Sequence, residues 1–289
     1  MSVTKEVQNH LVRRTLVVTT LYLSSTAALI LIFRDQVPGW QLLVTAHVVG
    51  CVTAASLRRH EPSRPLLRVV RDWHPIVLFP ILYKEVEVLA AAFGDWRLTD
   101  VIPSLEAIVF AGQPSIYLSS YLSFVPLSEF LHFCYLSYVV VIPGLAGYWY
   151  VAGPRVAFHE FILLLAMVMF VSYLFFILFP VDSPYYLSER LQPPLAGHLF
   201  FDLVHEVSSR GGARGGAFPS AHVSASVVAW LVAWHHQRRL AWAMTPIILG
   251  VVVATVYGRF HYALDTVAGL GLAVCVVGTY RRRSSWKAA

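Results

Sequence analysis

Eight long apolar stretches constrain this chain more than any other feature. They lie at roughly 15–33, 39–57, 74–93, 129–150, 157–180, 219–235, 241–258 and 261–280. A helix needs about 20 residues to cross a hydrocarbon layer of about 30 Å, and only the sixth stretch is short by that measure. Charged residues make up 13% of the chain, against about 25% in a soluble domain. The sequence therefore predicts an all-α, polytopic membrane helical bundle that forms one integral membrane domain.

The positive charges indicate how the predicted helices are oriented. Most of the 22 Lys and Arg residues fall near the termini and on alternate loops, including the run LRRHEPSRPLLRVVR at 57–71. Since Lys and Arg gather on the cytoplasmic side, both termini are predicted to be cytoplasmic, in a bacterial-type plasma membrane. The loops near 94–128 and 181–218 and the turn near 258–264 then lie on the extracytoplasmic side. The same topology explains the net charge of +6, so no nucleic-acid partner is predicted.

Composition divides the single domain into three parts. Residues 1–100 hold the N-terminal helices, 101–128 form an exterior segment, and 129–289 form a helical core with the candidate site. Residues 105–126 are apolar, but Gly112, Gln113 and two prolines interrupt them. Because glycine and proline break helices, this segment is predicted to lie on the outer membrane interface rather than to span the bilayer.

The stretch YGRFHYALD, at 257–265, contains the first group of candidate site residues. His261 and Asp265 are four residues apart, so on a helix they share one face and the carboxylate can orient the imidazole. Arg259 lies two residues before His261. A membrane-interface arginine and a structural polar cluster are the alternatives for these residues.

The stretch GGAFPSAHVSAS, at 215–226, contains the second group. Pro219 suits the first turn of a helix, and Ser220 offers a hydroxyl where free backbone N–H groups attract an anion. His222 follows two residues later, and a helix cap is the alternative role for Ser220. The two stretches are predicted to lie on the same membrane side. Together they supply the groups that a phosphoryl transfer needs for attack, protonation and charge neutralisation.

Both stretches resemble motifs of one family. PSAH, at 219–222, resembles the Pro-Ser-Gly-His motif of the type 2 phosphatidic acid phosphatase superfamily with Ala221 in place of Gly. HYALD, at 261–265, resembles its His-x-x-x-Asp motif, and the flanking residues look most like its inositol phosphorylceramide synthase-like branch. The resemblance implies a six-helix core, here with about two extra N-terminal helices, and an active site on the outer or luminal side.

The resemblance also implies a role for each candidate residue. His261 would be the nucleophile that forms a phosphohistidine, Asp265 would orient it, and His222 would protonate the leaving oxygen. Ser220 and Arg259 would bind the non-bridging oxygens.

This chain departs from the family pattern in its phosphate-binding cations. The motif Lys, six residues, Arg-Pro is absent, and so is the Ser-Arg pair that lies well ahead of the second histidine. Arg190, Arg214 and Arg210 are candidates to supply the missing charge, and solvated loop charges are the alternative. Lys84 falls in the middle of the third predicted span, where it either binds a polar head group or pairs with Glu87.

The predicted function is that of a membrane lipid phosphatase or phosphotransferase acting at the extracytoplasmic face. Water as acceptor makes it a phosphatase, which we favour, and a second alcohol makes it a head-group transferase of inositol phosphorylceramide synthase type. A lipid or solute transporter is the alternative from another class. No cofactor and no metal site are predicted, because guanidinium groups and a helix N-terminus supply the positive charge. The predicted partners are a lipid phosphate or phospholipid substrate and the bilayer, and the oligomeric state is left open.

Overall fold

The computed structural model describes residues 3–92, 98–187 and 197–283, and these residues are mostly helical. Within them the one β pairing is an isolated parallel bridge between Val181 and Gly216. The helices are α1 (Val3–Ile32), a short 3-10 helix (Arg34–Gln36), α2 (Trp40–Arg59), α3 (Pro65–Ala92), α4 (Val101–Phe110), α5 (Pro114–Tyr121), α6 (Val125–Val151), α7 (Arg155–Leu178), α8 (Pro184–Leu187), α9 (Leu199–Gly211), α10 (Ala221–His236), α11 (Arg238–Tyr257) and α12 (Ala263–Arg283). The predicted all-α class is confirmed.

Among the described residues, the eight longest helices overlap the eight predicted apolar stretches. Six of them, α1, α2, α6, α7, α11 and α12, are long and apolar enough to cross a membrane. Of the other two, α10 has 16 residues, and α3 carries several charged side chains along its length. Large apolar side chains on the outer surface, such as Leu21, Val52 and Leu249, are more than half exposed. Such a surface suits contact with lipid, and the molecule is a polytopic membrane bundle.

Helix α7 is the centre of the bundle. It packs against α1, α3, α6, α10 and α12, and 17 of its 24 residues are buried. Helix α10 packs against α6, α7, α11 and α12, so the stretch that begins at Ser220 enters the middle of the structure. Helices α1 and α2 form a pair that joins the core through α7.

Helices α4 and α5 form a pair that is bent by 65° at a short break. The break contains Ala111 and Gly112, both with positive φ angles. Helix α5 packs against α11, and α4 packs against α12. The exterior segment therefore contacts the two helices that flank the YGRFHYALD stretch.

Helix α9 lies within the long loop predicted at 181–218. The Glu129 carboxylate, on α6, accepts hydrogen bonds from the backbone N–H groups of His198 (2.6 Å), Phe200 (2.9 Å) and Phe201 (3.2 Å). These are donors at the start of α9 that have no partner inside the helix. The loop is thus an ordered helical element fixed to the core from its first turn.

The contacts distinguish two ends of the bundle. Beyond the last turn of α7, Val181 pairs with Gly216, just before α10 begins. Near the first turn of α7, Glu160 contacts His236 at the last residue of α10. The candidate histidines therefore lie at one end, and basic residues near the start of α1 and the loop after α2 lie at the other.

Candidate active site

The two histidines predicted to act together lie side by side. His222 is the second residue of α10, and His261 lies in the turn between α11 and α12. The distance from His261 Nε2 to His222 Nδ1 is 3.4 Å, and the ring centroids are 5.6 Å apart. Two segments separated by more than thirty residues thus bring their imidazoles to one point.

The ring of His261 is held from its Nδ1 side. Nδ1 lies 3.0 Å from the carbonyl oxygen of Ala217, which can only accept, so Nδ1 carries the proton in this bond. The Asp265 Oδ2 atom is 3.6 Å from the same nitrogen, close enough for charge interaction but longer than a good hydrogen bond. The result is a tautomer whose Nε2 lone pair faces His222.

Asp265 also organises the start of α12. Its Oδ2 accepts the backbone N–H of Tyr262 at 2.8 Å, which is half of a capping box, and its backbone carbonyl accepts the N–H of Ser220 at 2.9 Å. Its Oδ1 atom is buried without a hydrogen-bond partner. Asp265 therefore connects both motif stretches.

The backbone conformation at Gly215, before α10, positions the residues that lead into the site. Gly215 has a φ of 85°, and a Cβ there would lie 2.9 Å from Pro180 Cβ. Its N–H donates to Asp182 Oδ1 (2.8 Å), and its carbonyl accepts the N–H of Val181 (3.1 Å). The N–H of Ala217 then donates to the Val181 carbonyl at 3.1 Å. This pairing aims the Ala217 carbonyl at His261.

Ser220 is the N-cap residue of α10. Its Oγ accepts the N–H of Val223 at 3.4 Å, and the side chain is fully buried. The cap role considered from the sequence is present, and a cap leaves other first-turn N–H groups available to an anion.

Arg259 has a backbone and a side chain that are both constrained. Its φ is 61°, and only 3% of the residue is exposed. Its Nε and Nη2 atoms donate to Ser119 Oγ on α5, at 3.1 and 2.8 Å. Burial lowers the pKa of Arg259 from its ordinary value, with the Tyr257 hydroxyl acting in the opposite direction. A guanidinium nevertheless keeps its charge in proteins, so this is a buried cation at the site end of the bundle.

Lys84, predicted as a head-group ligand, contacts the end of α9. Its Nζ donates to the carbonyl oxygens of Gly211 (3.3 Å) and Arg210 (3.5 Å) and lies 3.9 Å from Glu87 Oε2. A cation at a helix C-terminus is favourable because the last carbonyls have no intrahelical donor. The ion pair with Glu87 that the sequence offered as an alternative is also present.

The other candidate cations differ in their surroundings. The guanidinium carbon of Arg214 is 5.4 Å from the ring centroid of Tyr186, and the residue is exposed. Arg210 pairs with Glu206 one turn earlier on α9. Arg190 lies outside the described residues.

Several residues around the site have no signal in the motifs. Tyr135 and Tyr138, on α6, lie against the ring of His222 with centroid distances of 4.8 and 4.7 Å. A cavity of about 180 Å³ opens beside this ring, between α3, α6 and α9; it is lined by Tyr83, Tyr135, Leu136, Val139, Val204, Val207, Ser208, Gly211, Gly212 and His222. Its lining is largely apolar. Aromatic residues at helical spacing, such as Tyr135 and Tyr138, look like ordinary core positions in a sequence.

Glu106 is the other residue that the sequence did not single out. Its side chain is fully buried on α4, and its Oε1 accepts the N–H of Leu264 at 3.1 Å. The carboxylate thus satisfies a donor in the first turn of α12, one residue before Asp265.

One group of three potential metal ligands occurs among the described residues. It comprises Glu160, His235 and His236, whose ligand atoms lie within 4.8 Å of one another at the end of the bundle far from His261. His236 Nε2 and Glu160 Oε2 are 2.7 Å apart. This cluster is separate from the candidate active site.

The model of the PAP2 superfamily matches residues 105–279, well over half of the chain. The chain belongs to the PAP2 superfamily. The matched region runs from α4 to α12 and contains both motif stretches together with Ser119, Tyr135 and Tyr138. No match was found among curated proteins or among solved structures.

Membership places this protein in a broad class of enzymes. The PAP2 superfamily comprises phosphatases and phosphotransferases, so the chain is a phosphatase-type phosphoesterase of the membrane. The matched span includes the α4–α5 pair that holds Glu106 and Ser119. The family match therefore covers most of the α4–α5 segment, from residue 105 onward.

Proposed function

We propose that this protein hydrolyses a lipid phosphate ester through a phosphohistidine on His261, without a metal ion. The single observation that carries the proposal is the orientation of the His261 ring. Its Nδ1 is occupied by the Ala217 carbonyl at 3.0 Å, and its Nε2 faces His222. An imidazole held by one nitrogen presents the lone pair of the other as a nucleophile.

The reaction has two halves. In the first, the Nε2 lone pair attacks phosphorus, the bond between phosphorus and the lipid oxygen breaks, and His222 gives its proton to that oxygen. In the second, His222 takes a proton from water, the water oxygen attacks phosphorus, and the P–N bond breaks to release inorganic phosphate. Asp265, 3.6 Å from Nδ1, stabilises the positive charge that the ring acquires in between.

The phosphoryl group has to lie between the two imidazoles. At 3.4 Å their nitrogens are close to contact, so the His222 ring must turn about its side-chain bonds when substrate enters. His222 is half-buried and borders the cavity, which gives it room to turn. Catalytic hydrogen bonds often reach their final geometry only with substrate bound.

Positive charge for the phosphate comes from three kinds of group in this proposal. Arg259 is a buried cation, Arg214 is an exposed one, and the first turn of α10 presents backbone N–H groups beside Ser220. Arg190 and Lys84 remain candidates of the same kind. These groups neutralise developing charge, which is the role a metal ion has in other phosphoryl transfers.

A lipid substrate at the extracytoplasmic face is supported by two features. The cavity beside His222 has mostly apolar walls, which suit the first part of an acyl chain. The basic residues of α1 and of the loop after α2 lie at the opposite end, as both termini on the cytoplasmic side of a bacterial-type plasma membrane would require.

A head-group transferase is the second candidate. It is favoured by the flanks of both motifs, which look like the inositol phosphorylceramide synthase-like branch. Product analysis with purified protein distinguishes the two. Release of inorganic phosphate from a phosphatidic acid in water alone supports hydrolysis, whereas turnover only with an added alcohol such as inositol supports transfer.

Trapping the covalent intermediate tests the mechanism itself. After brief incubation with phosphatidic acid labelled with ³²P and rapid quenching in base, the protein is expected to carry a base-stable, acid-labile label. His261→Ala should remove the label and lower turnover by several orders of magnitude. His235→Ala, an exposed histidine at the far end, is the matched control and should keep both. A label that persists on the His261→Ala protein would exclude the proposed nucleophile.

A further inference from the structure

A polar cavity of about 540 Å³ lies at the end of the bundle opposite to the active site. It is bounded by the first turns of α1, α3 and α7 and by the last turn of α6. From His159 in this cavity to Leu178 near the active site, α7 rises by about 30 Å. A ligand here is therefore distinct from the reacting substrate.

Arg71 is the central group of this cavity. The residue is 7% exposed, and its Nε donates to Asp72 Oδ1 at 3.0 Å. Among the described residues its two Nη groups, which hold four of the five guanidinium N–H donors, have no hydrogen-bond partner. Although the residue as a whole is buried, these Nη groups are not enclosed by protein and reach the open space of the cavity, where guanidinium donors suit an anion.

His159 and Arg155 add two more donors from the start of α7. His159 is 6% exposed, and within the described ranges no group lies within hydrogen-bond distance of its ring nitrogens. The guanidinium carbon of Arg155 lies 3.7 Å from the ring centroid of Tyr150, another lining residue. This cation–π contact holds the guanidinium at the rim.

The charge balance of the cavity favours an anion with more than one charge. Lys5, Arg68, Arg71 and Arg155 line it against two carboxylates, and one of these, Asp72, is already paired with Arg71. A net positive pocket with forked guanidinium donors matches the oxygens of a phosphate group better than a single carboxylate. The volume lies in the range of small-molecule sites, about 300–1,000 Å³.

We propose that this cavity is a second anion site that binds a phosphate group. The phosphate is carried either by a lipid head group in the leaflet at this end or by a soluble phosphate compound. By joining the start of α1 to α3 and α7, the bound anion would tie the N-terminal helix pair to the catalytic core. This inference stands independently of the reaction proposed above.

The test measures binding by isothermal titration calorimetry with the full-length protein in neutral detergent. Every sample carries His261→Ala, so that no turnover contributes heat, and the probes are inorganic phosphate and a short-chain phosphatidic acid. We expect two classes of site for at least one probe. Arg71→Gln should weaken one class by about tenfold or more, because a charged hydrogen-bonding group is lost.

Two further variants make the outcome decisive. Arg155→Gln changes an exposed residue outside the Arg71–Asp72 pair, so it remains informative even where Arg71→Gln fails to fold. Arg58→Gln removes the same charge from a neighbouring cavity at the same end and should leave both classes unchanged. If the class of site that Arg155→Gln weakens binds inorganic phosphate, its ligand is a soluble phosphate compound; if that class binds only the lipid, its ligand is a head group. Identical isotherms for Arg155→Gln and Arg58→Gln would overturn the proposal.

Discussion

Gly269 offers a steric test of how the active site is held. It lies one turn after Asp265 on α12, against the start of α10. An added Cβ would be 2.5 Å from the Ser220 carbonyl oxygen, whereas real Cβ atoms essentially never come closer than 3.0 Å. Gly269→Ala must therefore move α12 and Ser220 apart by about half an ångström or more. Ser220 precedes His222 by two residues, so this movement separates His222 from Asp265 and from His261.

The effects on activity and on stability are expected to be separable. A misplacement of about 1 Å in a catalytic arrangement can cost about 10²-fold in rate, so we expect turnover to fall by about tenfold or more. Overpacking costs about 1–3 kcal/mol in stability, and the higher helix propensity of alanine offsets about 1 kcal/mol of it. The variant should therefore fold and remain poorly active.

The assay is phosphate release from a short-chain phosphatidic acid at saturating substrate, with thermal unfolding measured on the same preparations. Gly271→Ala is the matched control, because an added Cβ on this residue of the same helix has no atom within 4 Å. Turnover by the Gly269→Ala protein within about twofold of the Gly271→Ala protein would refute the idea that this close approach sets the catalytic geometry.

Two further predictions concern residues on α4 and α5. Glu106→Ala removes the acceptor of the Leu264 N–H (3.1 Å) and should lower the free energy of unfolding by about 0.5–2 kcal/mol. Glu106→Gln keeps an acceptor oxygen, so its free energy of unfolding should stay near that of the wild type. Equal losses in thermal unfolding for both variants would contradict a capping role. Ser119→Ala removes the hydroxyl that accepts two N–H groups of the buried Arg259, so it should lower kcat about tenfold and cost about 1–3 kcal/mol of unfolding free energy. Ser120→Ala, whose hydroxyl donates to a carbonyl of its own helix, should change kcat little. Unchanged kcat in Ser119→Ala would show that Arg259 does not depend on this contact.

The lengths of the apolar stretches were enough to predict the long helices but not all of their limits. Helix α3 begins at Pro65, well before the predicted position 74, because its first turns are rich in arginine and lie outside the apolar stretch. Pro65 itself was a usable signal, since proline favours the first helical turn. The spacing of Phe200, Phe201, Val204 and Val207 likewise indicates one apolar helix face, and it marks α9 inside what looked like a loop.

The partners of the motif residues were beyond sequence reasoning. The contact from Ser119 to Arg259 spans 140 residues, and the contact from Glu106 to Leu264 spans 158. Such pairings leave no local pattern in the sequence, because they depend on how the α4–α5 pair packs against α11 and α12.

The hydrogen bond from His261 to Ala217 could not be predicted for another reason. Its acceptor is a backbone carbonyl, which every residue has, so the identity of the side chain at position 217 gives no signal.

Acidic residues lie at the same end of the bundle as the proposed phosphate site. In the sequence, Glu106 and Asp182 fall in the loops predicted to be extracytoplasmic. In the structure four carboxylates at this end accept hydrogen bonds from backbone N–H groups. Three of them do so at the start of a helix, namely Glu106, Glu129 and Asp265, and the fourth, Asp182, does so at Gly215. Backbone donors and the positive end of a helix dipole compensate a carboxylate locally. The Arg259 guanidinium donates to the Ser119 hydroxyl at 2.8 Å, and this contact holds the cation at the same end of the bundle as these carboxylates.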